Sequence, residues 1–125
     1  MITLLGVRTP LIGQRPLFPT GGRVSTADRL RLLLHMTPLE FEQRFPRRAN
    51  VNNRKRGRSL VNSLRGRVFV LGRESWRLLG LTRVEFFDSI ETVNSAVFTL
   101  LPHPSGRNLL YNDPRVRKRM RDLLL

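Results

Sequence analysis

Apolar residues in this chain fall into short blocks separated by polar stretches rich in glycine and proline. The clearest blocks are Val68–Leu71 and Ala96–Leu101. Continuous apolar runs of about four to eight residues between turn residues are typical of buried strands. Further strands are predicted within residues 1–12 and over Arg48–Val51, and Val84–Phe87 is a possible additional strand.

Between these blocks, capping residues followed by apolar residues at helical spacing predict helices. Ser25 or Thr26 can cap one helix, with Asp28 in its first turn, where the helix dipole favours a negative charge. Thr37–Glu40 forms a capping box with proline at the first helical position. A short helix follows it and ends at Pro46.

Three more helices are predicted further along the chain. Glu74–Leu79 is one, Leu60–Leu64 belongs to a short one, and Asp113–Pro114 caps the last. The stretch from Asn52 to Ser59 holds four basic residues around Gly57, and we interpret it as a basic loop.

The alternation of strands and helices predicts one three-layer α/β domain over residues 1–125. We expect four strands in a mainly parallel sheet, with helices on both faces. Ligands of such sheets bind beyond the carboxyl ends of the strands. Three polar loops are expected there: Gly13–Arg15, Asn50–Arg58 and His103–Asn108.

Composition removes several classes of site. The 125 residues include no cysteine, which excludes disulfides, cysteine-ligated metals and cysteine nucleophiles. His35 has no companion ligand at metal spacing, so we expect neither a metal nor another cofactor. Residues 1–5 lack the basic region of a signal peptide, and no apolar run reaches the ~20 residues needed to cross a bilayer. We expect a soluble intracellular protein with no membrane partner.

The charge points to a polyanionic partner. Lysine and arginine total 23 against 9 aspartate and glutamate, a formal net charge of +14. Such a charge on a small domain attracts polyanions, and the guanidinium fork matches phosphate geometry. Nucleic acid is therefore the expected partner. Genome composition and solubility are the alternative explanation for the arginines.

The loop after the last core strand carries the most specific chemistry. His103 lies between Pro102 and Pro104, so its backbone is restricted, and Ser105 and Gly106 permit a close turn past a ligand. A rigid loop that presents a histidine and a serine suits a site for a phosphate and an anionic leaving group. An ordinary strand-to-helix turn with a surface histidine is the alternative.

Two motifs in the chain resemble those of the uracil-DNA glycosylase superfamily. His103-Pro104-Ser105-Gly106 resembles the motif after its last core strand, and Gly13-Gln14-Arg15-Pro16 resembles its Gly-Gln/Glu-x-Pro motif after the first. Asn50 stands at the end of the intervening strand, where the superfamily keeps a base-reading asparagine. The resemblance spans residues 11–112 and implies a glycosylase-like fold and hydrolysis of an N-glycosidic bond in DNA repair.

The resemblance also implies roles for individual residues. His103 would be catalytic and stabilise the departing base, and Gln14 with the Gly13 backbone would face the base or the attacking water. Asn50 would read the base, which must be flipped out of the helix. Phe18 would stack on it.

The phosphates of the substrate would be held next to this site and by two basic segments. Ser105 and Gly106 would grip the flanking phosphates, with help from Arg107. The other expected phosphate contacts are Arg15, Arg54, Lys55, Arg56, Arg58, Arg115, Arg117, Lys118, Arg119 and Arg121. Contacts of this kind supply affinity and salt dependence but little sequence information.

One departure from the motifs keeps a second class of function open. The first motif offers Gln14 and Arg15 but no carboxylate to orient a water molecule. That favours a catalytically inactive nucleic-acid-binding protein on the same fold, whereas the intact His103–Gly106 loop favours an enzyme. A basic structural protein that binds RNA is a further alternative.

Overall fold

A computed structural model describes residues 2–6, 17–23, 25–104 and 109–125. The strands are β1 (Ile2–Gly6), β2 (Arg47–Asn50), β3 (Gly66–Leu71), β4 (Ser89–Glu91) and β5 (Ala96–Leu101). The helices are α1 (Thr26–Leu33), α2 (Pro38–Arg44), α3 (Arg54–Ser63), α4 (Arg73–Leu78) and α5 (Pro114–Leu124), with a short 3₁₀ helix over Leu109–Asn112.

The strands form one mixed sheet in the order β2-β1-β3-β5-β4. The first four are parallel, and β4 runs antiparallel to β5 at the edge. The α/β class is confirmed, but the prediction of four strands is wrong because it omits β4. With only three residues, none of them buried, β4 lacks the apolar run that marks the other strands.

The segment Val84–Phe87 is not a strand. Instead, the Phe87 side chain packs against one core cluster, and the guanidinium of Arg73 covers the Phe86 ring at 4.5 Å from its centroid. The apolar residues there therefore serve packing rather than strand pairing, and the chain enters the sheet only at Ser89.

Alternation along the strands gives the sheet two apolar faces, each covered by helices. Phe69 and Leu71 of β3 face a cluster completed by residues of α1, α2 and α5, and Val68 and Val70 face a cluster completed by α3 and α4. Since side chains alternate across a strand, one buried strand supplies both cores. The prediction of helices on both faces is confirmed.

The predicted caps are also present. Ser25 accepts a hydrogen bond from the Asp28 amide, and Thr37 forms a complete capping box with Glu40. Asp113 caps α5 by accepting from the Arg115 amide. Each cap satisfies amide groups that the first helical turn leaves unpaired.

The prediction of a basic loop over Asn52–Ser59 is wrong, because α3 begins at Arg54. The Asn53 side chain caps this helix by accepting from the Arg56 amide. Gly57 lies inside the helix, at a point where its backbone touches α4: an added Cβ would stand 2.0 Å from the carbonyl oxygen of Leu78. Here glycine permits close helix packing rather than a turn.

Candidate functional site

The carboxyl ends of four parallel strands meet at one edge of the sheet. β1 ends at Gly6, β2 at Asn50, β3 at Leu71, and β5 at Leu101, two residues before His103. Asn50 and His103 therefore lie at the same edge, on strands with β1 and β3 between them. Of the other residues predicted there, Gly13, Gln14, Arg15, Ser105, Gly106 and Arg107 lie outside the described residues.

Asn50 carries an unsatisfied amide. Its Oδ1 and Nδ2 atoms are both shielded from solvent, and neither has a hydrogen-bond partner among the residues that the structure describes. A buried polar group left unpaired costs about 1–3 kcal/mol, so such groups are rare and point to a ligand or a strained site. The Asn50 amide can both donate and accept, as recognition of a nucleobase edge requires.

Gly6 makes room beside this amide. A Cβ at Gly6 would lie 3.2 Å from Asn50 Oδ1 and 3.0 Å from Leu17 Cδ2. The Val51 amide donates to the Gly6 carbonyl at 2.7 Å, which ties the ends of β1 and β2 together. Any larger residue at position 6 would press on the Asn50 side chain.

His103 lies against the end of β3. A Cβ built on Gly72 would come within 3.1 Å of His103 Cβ and 3.5 Å of its Cδ2 atom. Gly72 has a φ of 95°, which side-chain-bearing residues rarely adopt, and its amide donates to Leu101 at 2.8 Å. The imidazole is thereby directed back from β5 toward the middle of the sheet edge.

Pro102, which precedes His103, is held by the 3₁₀ helix and α5. The Tyr111 hydroxyl donates to the Pro102 carbonyl, and burial raises the pKa of Tyr111 well above its ordinary value, so it remains a donor. Arg117 in turn donates to the Tyr111 carbonyl. Arg117, predicted as a phosphate contact, therefore also helps to position the residue that precedes His103.

Phe18 follows a residue that is fixed at the same edge. Leu17 is buried over Gly6, and its carbonyl accepts from the Arg48 guanidinium at 3.2 Å. The Phe18 side chain is 37% exposed. An exposed ring next to an anchored residue is free to stack on a planar ligand.

Asp28 is fully occupied. Both carboxylate oxygens accept hydrogen bonds: from the Thr20 amide and hydroxyl, the Gly21 amide, the Ser25 hydroxyl and the Arg31 Nε atom. Burial raises the pKa of Asp28, but the hydrogen bonds from Thr20, Ser25 and Arg31 outweigh it and hold that pKa well below its ordinary range. Asp28 is therefore not available to orient a water molecule.

The two basic segments differ in how their charges are engaged. On α3, the side chains of Arg54, Lys55, Arg56 and Arg58 are exposed. Within the described ranges they make no hydrogen bond, ion pair or ring contact. On α5, Arg115 pairs with Asp113 at 3.0 Å, Lys118 with Asp122 at 2.9 Å, and Arg119 lies over the Phe87 ring at 4.5 Å.

Sequence reasoning missed three residues of these surfaces: Gly6, Gly72 and Arg77. The two glycines directly follow apolar runs, which is the signal that could have marked them as contacts at strand ends. Arg77 carried no such signal, because its importance depends on α3 packing beside it.

Comparison with known proteins gave no match, whether with protein-family models, with curated proteins or with solved structures. Among the residues that the structure describes, no group of three or more histidines, aspartates or glutamates is arranged to hold a metal ion. No helix in the same ranges is long and apolar enough to cross a bilayer.

Proposed function

We propose that this protein binds DNA, holds an extruded base at the carboxyl edge of the sheet between Asn50 and His103, and hydrolyses its N-glycosidic bond. The fold would then be a trimmed variant of the uracil-DNA glycosylase type. The observation that carries the proposal is the Asn50 amide, whose two polar atoms are buried without a partner in the described part of the chain. A base edge would satisfy both atoms at once.

The spacing of the two side chains supports a ligand of this size. Asn50 ends β2, and His103 leans over Gly72 at the end of β3, with β1 between them. Since neighbouring strands lie about 4.8 Å apart, the ends of β2 and β3 are separated by about 10 Å. A pyrimidine ring with a hydrogen bond on each side fits such a gap.

His103 has the chemistry that the bond cleavage requires. As the glycosidic bond breaks, negative charge builds on the departing base, and a positioned donor stabilises it. The flanking prolines and the Tyr111 contact hold the His103 loop in advance of binding. Phe18 would stack on the base, Gln14 and Gly13 would face the water, and Ser105, Gly106 and Arg107 would hold phosphates.

One observation favours a second candidate, a DNA-binding protein without catalytic activity. Asp28 is engaged by four residues and cannot orient the attacking water. The first motif offers no carboxylate either. In that case the site would hold a base without cleaving it.

An excision assay separates the two candidates. A uracil-containing oligonucleotide is incubated with protein and then treated with alkali, which cleaves at abasic sites. We expect His103→Ala to lower excision about 10²–10³-fold, as for loss of an oxyanion donor, with DNA affinity nearly unchanged. His35→Asn, which alters the other imidazole at a left-handed backbone position that asparagine tolerates, is the control.

The outcomes are distinct. Excision by the wild type that survives His103→Ala contradicts the role of His103. No excision by the wild type on uracil, hypoxanthine or mismatched substrates leaves the non-catalytic binder. In both cases Asn50→Ala should weaken binding to an oligonucleotide with an unpaired base more than binding to a perfect duplex.

A further inference from the structure

A basic cleft lies on the helical layer formed by α3 and α4. Its position follows from Gly57, whose backbone rests on the last turn of α4. Residues 54 and 58 lie one turn apart on α3, so they share one face of that helix. This packing places Arg54 and Arg58 beside Arg77 of α4, around a cleft of about 410 Å³.

The three guanidinium groups have no partner of their own. Within the described part of the chain, none of them makes a hydrogen bond or ion pair, and no carboxylate lines the cleft. Three positive charges around one cleft repel each other, and their attraction to a bound anion would offset this repulsion. Guanidinium forks bind phosphate oxygens in pairs, so phosphate is the anion they suit best.

A second pocket of about 240 Å³ adjoins the cleft and shares Arg77 and Leu81 with it. Trp76 forms part of its wall and is held by a hydrogen bond from its indole to the Thr82 carbonyl at 2.9 Å. Arg73 of the same wall is already engaged, since it donates to Val84 at 2.9 Å. Arg83 completes the lining, and most of the exposed surface of this pocket is apolar.

We propose that this pair of pockets is a binding site for an organic phosphate. The phosphate group binds Arg54, Arg58 and Arg77, and the attached apolar or planar group lies against Trp76 and Leu81. A free nucleotide and a nucleotide unit within a single strand share this chemistry. The site shares no lining residue with Asn50 or His103 and does not depend on the proposed excision activity.

Trp76 is the only tryptophan of the chain, so its fluorescence reports on this site directly. We expect adenosine 5′-monophosphate, or a five-nucleotide single strand with a 5′-hydroxyl, to change the Trp76 emission, and inorganic phosphate to compete. Arg58→Gln with Arg77→Gln should weaken binding by about tenfold or more.

The matched control is Arg47→Gln with Arg65→Gln, which removes two exposed arginines at the amino ends of β2 and β3. This control variant should bind like the wild type. If the variant with both Arg58→Gln and Arg77→Gln does not fold, the single variant Arg77→Gln takes its place. Response to the mononucleotide alone identifies a free nucleotide, and response to the strand alone identifies nucleic acid. No response to either probe, or an equal loss in the control, overturns the proposal.

Discussion

Helices α3 and α5 are both rich in positive charge, but their basic side chains differ in whether they contact other residues of the described chain. The basic side chains of α3 have no intramolecular partner in the described ranges. On α5, Arg115 and Lys118 pair with carboxylates, Arg117 donates to Tyr111 and Arg119 covers Phe87.

The two helices therefore differ in how readily their basic side chains can bind an external anion. The exposed ion pairs of α5 contribute little to stability, but each cation must give up a local partner before it meets a phosphate. The basic side chains of α3 would lose only hydrating water on binding a phosphate. We therefore expect α3 to contribute more than α5 to any contact with a polyanion, because Arg117 of α5 already holds Tyr111, which contacts Pro102.

The largest expected effect is at Gly57, which holds α3 against α4. In Gly57→Ala the new Cβ would stand 2.0 Å from the Leu78 carbonyl oxygen and 3.0 Å from Leu79 Cα. Both are backbone atoms that cannot rotate away. We expect the free energy of unfolding to fall by about 1–3 kcal/mol, despite the better helix propensity of alanine. Urea denaturation measures this.

Gly22→Ala is the matched control, since the nearest atom to its added Cβ is Thr20 Oγ1 at 3.5 Å. Its stability should be close to that of the wild type. If Gly57→Ala were equally neutral, α3 would not be packed on α4 as described, and the positions of its arginines would have to be revised.

The next effect concerns DNA affinity. Removing Lys55 and Arg56 as Lys55→Gln with Arg56→Gln should flatten the dependence of log K on log salt by nearly 2, because each phosphate contact on B-DNA contributes about 0.9. Arg115→Gln with Lys118→Gln removes the same charge from α5 and should flatten it less. Fluorescence anisotropy at several salt concentrations compares the two. If both variants flattened the salt dependence equally, the ion pairs of α5 would have no effect on DNA binding.

The smallest expected effect is an increase in DNA affinity. Asp113→Asn with Asp122→Asn removes the partners of Arg115 and Lys118, and asparagine can still cap α5. The pKa of Asp113 is held below its ordinary value by hydrogen bonds from Arg115, so this carboxylate is charged at neutral pH. We expect DNA affinity to rise by up to about fivefold.

A control for net charge uses Glu74→Gln with Glu91→Gln, which removes two exposed carboxylates from other elements. It should raise affinity less than the α5 variant. A rise of the same size in both would assign the gain to long-range attraction and not to the release of α5.

The sequence predicts those parts of the fold whose signals are local. β5 is predicted with its observed bounds because a run of six residues, five of them apolar, ends at a proline. The caps at Thr37 and Asp113 depend only on residues of their own turns. The helix α3 and the strand β4 escape such reasoning. The first contains a glycine that tertiary packing requires, and the second is held by pairing with β5 rather than by its own apolar residues.

The candidate site divides in the same way. His103 can be proposed from its position after an apolar block, since parallel strands bring their carboxyl ends together. Asn50 follows Arg47-Arg48-Ala49 and is proposed from the motif resemblance. The residues that contact these two side chains cannot be predicted from the sequence. The contact between His103 and Gly72, and that between Asn50 and Gly6, join residues more than thirty positions apart along the chain. Arg77 likewise gains its place beside Arg58 only when two helices pack.

Asp28 has a consequence for the thermodynamics of ligand binding. Its hydrogen bonds from Thr20 and Gly21, together with the bond from Arg31 to the Gly22 carbonyl at 2.9 Å, fasten the segment that begins at Leu17 to the start of α1. The conformational entropy of that segment is therefore lost when the chain folds, and little remains to be lost when a ligand reaches Phe18.

The same carboxylate sets the acid limit of this arrangement. Because its folded-state pKa is depressed, Asp28 stabilises the folded protein above its unfolded pKa of about 3.9, and this stabilisation is lost as the pH falls through the folded value. Across the neutral range, the segment that carries Phe18 stays preorganised without help from a ligand.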